Sequence, residues 1–200
     1  QNPIRARCCG FGEKDRRLID PPPIVQLTAS RDGEDLELTP ADTKLFVVHC
    51  SLYSADSNEE RNLSLSSRQR QASSVYTDSN NNFISSSYSN SYGASEPQPV
   101  RNLIGSVVSS AYCLYNLENE KGVYSIFSDL SVRTEGTYTL RFIFFDLAAG
   151  EPMTMSTRVQ AETFSKPFVV YTPKNFQGMT ATTELSKCFS RQGVKIVTRK

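Results

Sequence analysis

The chain's 200 residues, 38% hydrophobic and 10% aromatic, suffice to bury one core, and no apolar run nears the roughly 18 residues of a membrane-spanning helix. No secretory signal is visible, although the chain begins at Gln1 rather than Met. A formal net charge of +1 conceals a segregation: Arg5, Arg7, Lys14, Arg16 and Arg17 outnumber Glu13 and Asp15 near the amino end, Lys187, Arg191, Lys195, Arg199 and Lys200 meet no acid at the other, and the body between is acidic.

In chain order, residues 5–17 read as a basic loop with two glycines, running into the stiff Pro21-Pro22-Pro23. Ile24–Thr28 is the first predicted strand and Leu45–Tyr53 the second, apolar on both alternating faces at its start and therefore central. From about residue 54 to 99 Ser and Asn dominate, with too few aliphatic residues to offset ordering entropy. This stretch is expected to be a disordered insertion within one domain spanning 1–200, because residues 1–53 hold too few strands to close a core alone. Within it, Tyr76, Phe83, Tyr88 and Tyr92 offer partner contacts, and Arg68 and Arg70 ahead of Ser73 resemble a basic-directed kinase site.

Structure is predicted to resume with an apolar run from Leu103 to Leu117, a turn at Glu118–Gly122, and a strand over Val123–Val132. After Glu135-Gly136, Tyr138, Leu140, Phe142 and Phe144 fall on one strand face and should line the core. Strands follow at 153–164 and 168–171. Thr182 or Thr183 caps a helix over Glu184–Gln192 that Gly193 ends, with Leu185, Cys188 and Phe189 inward and Lys187 and Arg191 outward, and Val194–Thr198 is a final strand. Short strands separated by turn signals favour a mainly β fold, an immunoglobulin-like sandwich with one short C-terminal helix.

Catalytic chemistry finds little support. His49 is the only histidine and no GxSxG elbow accompanies it, so it reads as a hydrogen-bonded core residue. Asp129, Glu135 and Asp146 read as strand ends or turns, and Gly10-Phe11-Gly12 lacks the third glycine of a dinucleotide loop. The five cysteines contain no CxxC pair, which argues against a zinc site or a disulfide framework. Cys50 and Cys113 read as core; Cys8 and Cys9 either pack passively or carry thiols made acidic by neighbouring cations. No enzyme, metal or cofactor is expected. The two basic ends form one polyanion-binding face if the fold joins them, or two solvated tails if it does not.

Arg7-Cys8-Cys9-Gly10-Phe11-Gly12-Glu13-Lys14-Asp15-Arg16-Arg17, running into Ile19-Asp20-Pro21-Pro22-Pro23, resembles the opening of fungal velvet-domain regulators. Phe127–Gly136 resembles the family's central motif, and Lys174–Met179, Thr183–Ser186 and Gln192–Ile196 its C-terminal one, with Gln177 where proline is usual. The resemblance implies a Rel-homology-like immunoglobulin sandwich and a sequence-specific, double-stranded-DNA-binding transcriptional regulator of sporulation and secondary metabolism. It further implies a nuclear protein, with shuttling through the cytoplasm, acting as a homodimer or as a heterodimer with other velvet proteins, with no membrane and no small-molecule substrate. The implied DNA contacts are Lys14, Arg16 and Arg17, with Arg5 and Arg7 adjacent; beyond the resemblance, the basic C-terminal residues Lys187, Arg191 or Lys195 would extend the footprint. The alternative is a dimerisation module with little DNA affinity of its own.

Overall fold

A computed structural model describes residues 1–12, 16–64, 99–150 and 156–199. Its strands are β1 (Arg5–Arg7), β2 (Ile24–Leu27), β3 (Ala29–Arg31), β4 (Glu34–Leu36), β5 (Phe46–Ser54), β6 (Leu63–Ser64), β7 (Val100–Arg101), β8 (Leu103–Ile104), β9 (Val108–Tyr115), β10 (Lys121–Ile126), β11 (Ser131–Val132), β12 (Gly136–Asp146), β13 (Val159–Phe164) and β14 (Phe168–Tyr171). One α-helix follows, α1 (Glu184–Arg191). Among the described residues the fold is thus mainly β with a single short C-terminal α-helix, as the alternation of apolar runs and turn residues predicts.

The main sheet follows the order β1-β14-β12-β5-β9-β10-β2, and β13 pairs with β12 beyond β14, along the same edge. It curls at β9, whose Val108–Ser110 half pairs with β5 while Ala111–Tyr115 pairs with β10. A strand that changes partners in this way carries the chain from one leaf of a sandwich to the other. The register of β12 on β5 sets Leu140 opposite Leu52, Phe142 opposite Cys50 and Phe144 opposite Val48. Leu140 and Leu52 are completely buried, and Tyr138, Phe142, Phe127, Leu130, Phe168 and Val170 close around them. Burying each such side chain favours folding by about 1.5–3 kcal/mol.

Four elements differ from expectation. The run Val123–Val132 is two strands, because Phe127 and Leu130 turn into the core and their backbone bonds go to the N-terminal segment: Phe127 donates to the Pro23 carbonyl and Ile19 donates to that of Leu130. Arg5–Arg7 is a strand parallel to β14, held by its ladder and by fully buried Ala6, a single small residue that leaves almost no apolar signal. A hairpin, β3–β4, turns at Asp32-Gly33, both at positive φ (55° and 87°), the combination a type I′ turn requires. Val194–Thr198 makes no ladder; Ile196 is buried beside Phe189 instead.

The helix is as expected. The Thr183 hydroxyl accepts from the Ser186 amide at 3.2 Å, and Gly193 leaves at φ 95°. Eight residues are too few to hold a helix alone. Phe189 packs its ring 4.7 Å from that of Tyr124, and the Gln192 amide both accepts from the Tyr115 N–H and donates to its carbonyl, each at 2.8 Å.

The proposed insertion at 54–99 falls mostly outside the described residues. Its first part, up to Ser64, is a turn and a short strand: Arg61 donates back to Leu52, and β6 pairs with β7. The two ends of the Ser/Asn-rich stretch therefore leave and re-enter the fold side by side.

Candidate nucleic-acid interface

The basic segment is a loop closed at its neck. Arg5 and Asp20 exchange both backbone hydrogen bonds, at 3.0 and 2.9 Å, so residues 6–19 leave and return at one point. Both shoulders are pinned to one stretch of chain: Cys9 and Gly10 donate to the carbonyls of Val132 and Arg133, and Ile19 donates to Leu130. Gly10 sits at φ 61°, where a side chain is disfavoured.

Arg16 and Arg17 lie exposed on the return limb. The Arg16 guanidinium is aimed by the protein: Nε donates to the Ser131 hydroxyl at 3.1 Å, Nη2 donates to the carbonyls of Asp129 and Ile104, and the Asp129 carboxylate lies 3.8 Å away. The fork is thus fixed through its Nε and Nη2 side. Gly105, at φ 110°, makes room for it; a Cβ there would collide with Arg16 Nη2 and the Asp129 carbonyl. Arg5 and Arg7 flank buried Ala6 on the opposite strand face and are half-buried. Lys14 lies outside the described residues.

The other cations occupy α1 and the tail. Lys187 is paired with Glu184 at 2.8 Å, while Arg191 and Lys195 are exposed. The tail is brought to the loop's neck by Asp20, whose side chain is only 3% exposed: Oδ1 accepts from Arg199 Nη1 at 3.1 Å, and Oδ2 accepts from the Thr180 amide and hydroxyl at 2.5 and 2.7 Å. The amino end is fastened to the same region. Gln1 exchanges backbone bonds with Ile24, and its side chain joins Thr183 and Ser186 at the start of α1. The C-terminal tail is therefore tied to the neck of the basic loop.

The family profile described as Velvet factor matches residues 1–200, the whole chain. The chain belongs to the velvet factor family. One velvet complex component, from Emericella nidulans, is 31% identical, and its counterpart from Aspergillus flavus 32%; each alignment covers all of this chain and 76% of the relative. A sexual development regulator of Pyricularia oryzae is 34% identical over the whole chain, which spans 39% of that protein.

In this velvet chain the central block does more than mark the family. Asp129, which the sequence reads only as a strand end or turn, together with Ser131 and Arg133 forms the platform for the loop. Arg133 donates through Nη1 to the Gly10 carbonyl at 2.9 Å and through Nε to Arg101 at 2.8 Å, with its guanidinium 6.0 Å from the Phe11 ring centroid. A signal was available: the three alternate with buried Leu130 and Val132, a period-2 polar face beside a core strand.

Neither thiol in the loop is made acidic. Burial raises the Cys8 and Cys9 thiols above the ordinary value, outweighing Arg7 for Cys8 and Arg133, Arg16 and Arg7 for Cys9. Iodoacetamide should therefore label both more slowly than it labels glutathione at neutral pH; labelling faster than glutathione would contradict the packing described. Cys50 is buried in the core, where burial pushes its thiol far up. His49 is half-buried rather than in the core, with Nδ1 3.4 Å from the Ser51 hydroxyl.

Proposed function

We propose that this velvet-family chain is a sequence-specific DNA-binding transcriptional regulator of fungal development, sporulation and secondary metabolism, working in the nucleus. The observation that carries this reading is the closed loop, fastened at its neck and both shoulders, with Arg16 and Arg17 exposed on its return limb. Fixing a loop beforehand removes most of the ordering cost of binding, and arginine forks match phosphate oxygens or the O6/N7 edge of guanine. Relatives named as velvet complex subunits and as a sexual development regulator support the regulatory role and assembly with other velvet proteins as homo- or heterodimers. We take residues 1–200 as one domain, since strands on both sides of the Ser/Asn-rich stretch pair with one another and the two termini bond together.

The rival reading is a dimerisation module that holds a regulatory complex together without gripping DNA. Gel retention with random-sequence duplexes and light scattering on the same sample separate the two. DNA-binding regulation requires retention at low salt that weakens steeply as salt rises, because each phosphate contact contributes a slope of about −0.9 in log K against log salt. Dimers without retention at low salt would favour the module.

A further inference from the structure

Between α1 and the C-terminal tail lies an open concavity of about 570 Å³ lined by Lys187, Ser190, Arg191, Thr198 and Arg199. Three cationic and two hydroxyl-bearing residues line it. Two of the cations are held in place by carboxylates, Lys187 by Glu184 and Arg199 by Asp20. Arg191 makes no ion pair or hydrogen bond among the described residues, although its charge is felt at Glu184. The Ser190 and Thr198 hydroxyls are likewise unengaged among the described residues. The carbonyl end of α1, which would repel an anion, is occupied: the Phe189 and Ser190 carbonyls accept from the amides of Gln192, Gly193 and Val194. Glu184 and Asp20, the acids that pair with Lys187 and Arg199, do not line the groove themselves.

We propose that this groove is a phosphate site, and that its occupant is a backbone phosphodiester of the same duplex that the loop grips. Arginine and lysine with adjacent hydroxyls are the side chains that bind phosphate oxygens. Continuity with the loop decides between a duplex and a free phosphate compound. Arg199 is seated on Asp20, three residues beyond Arg17, and three extended residues span at most about 11 Å. The groove thus opens beside the foot of the loop, within reach of a neighbouring stretch of the same backbone. Lys195 is exposed but does not line it.

The inference rests on the DNA-binding reading, and the test separates the two. The wild-type chain, an Arg191→Ala/Thr198→Val double variant and an Arg17→Ala variant are titrated with duplex across a salt series, and each is melted with and without inorganic phosphate. Both substituted groove residues are exposed, so the double variant should keep the wild-type melting temperature. It is expected to bind DNA about tenfold more weakly whatever the duplex sequence, with a salt slope shallower by about 0.9, one phosphate contact. Wild-type affinity and slope in the double variant, alongside a loss in Arg17→Ala, would overturn the groove assignment and leave the loop reading intact. No DNA retention by the wild-type chain would overturn the loop reading. In that case, stabilisation by inorganic phosphate that the double variant lacks would assign the groove to a free phosphate compound and overturn the duplex assignment.

Discussion

Charge reversal of Lys14, Arg16 and Arg17 together is expected to abolish most DNA retention and, if about three phosphate contacts are lost, to make log K against log salt shallower by roughly 2.7. The single variants should not behave alike. Arg17→Ala removes one exposed cation and should lower the slope by about 0.9 with little change in melting temperature. Arg16→Glu also places a carboxylate against Asp129 and takes donors from the Ser131 hydroxyl and the carbonyls of Asp129 and Ile104. The exposed ion pair with Asp129 at 3.8 Å contributes at most about 1 kcal/mol. The larger effect comes from releasing the return limb of the loop, so Arg16→Glu should weaken binding more than Arg17→Glu. Arg16→Lys separates charge from position: an ammonium keeps the slope but cannot serve the three acceptors in one plane, so affinity should fall at unchanged slope. Unchanged affinity and slope in a folded triple variant would remove the loop from the binding surface.

Asp20→Ala should be the most destabilising single change among the polar residues described, at about 3 kcal/mol. Its carboxylate is buried and accepts from Arg199 and twice from Thr180. Removing one partner of a buried charge pair typically costs about 3–5 kcal/mol because the other is left without compensation. The lower figure applies since the Arg199 side chain is 32% exposed and rehydrates in part. Asp20→Asn keeps an acceptor for Thr180 but loses the charge facing Arg199, so it should fall between wild type and Asp20→Ala. Urea unfolding followed by circular dichroism measures all three. A loss below about 1 kcal/mol for Asp20→Ala would mean that the tail is not held at the neck of the loop, and the phosphate groove beside it would lose its anchor.

Much of the architecture was legible from local pattern. The period-2 run Tyr138, Leu140, Phe142 faces the core, and Thr183, Phe189 and Gly193 cap, bury and end α1 as side-chain chemistry requires. The platform under the loop was not legible, because Asp129, Ser131 and Arg133 act on Gly10 and Arg16 more than 100 positions away. Arg5–Arg7 escaped notice because a ladder to β14, not side-chain propensity, makes it a strand.

The mainly β class, the capped helix, the family and the gathering of positive charge at both ends of an acidic body can all be read along the chain. That the basic tail is tied to the neck of the basic loop was decided only in three dimensions, by Asp20 joining Thr180 and Arg199 across 160 and 179 residues. Strand and helix periodicity are properties of neighbouring residues and can be read along the chain. A buried carboxylate's partners are chosen by how the strands pack, and nothing in the residues next to Asp20 names them.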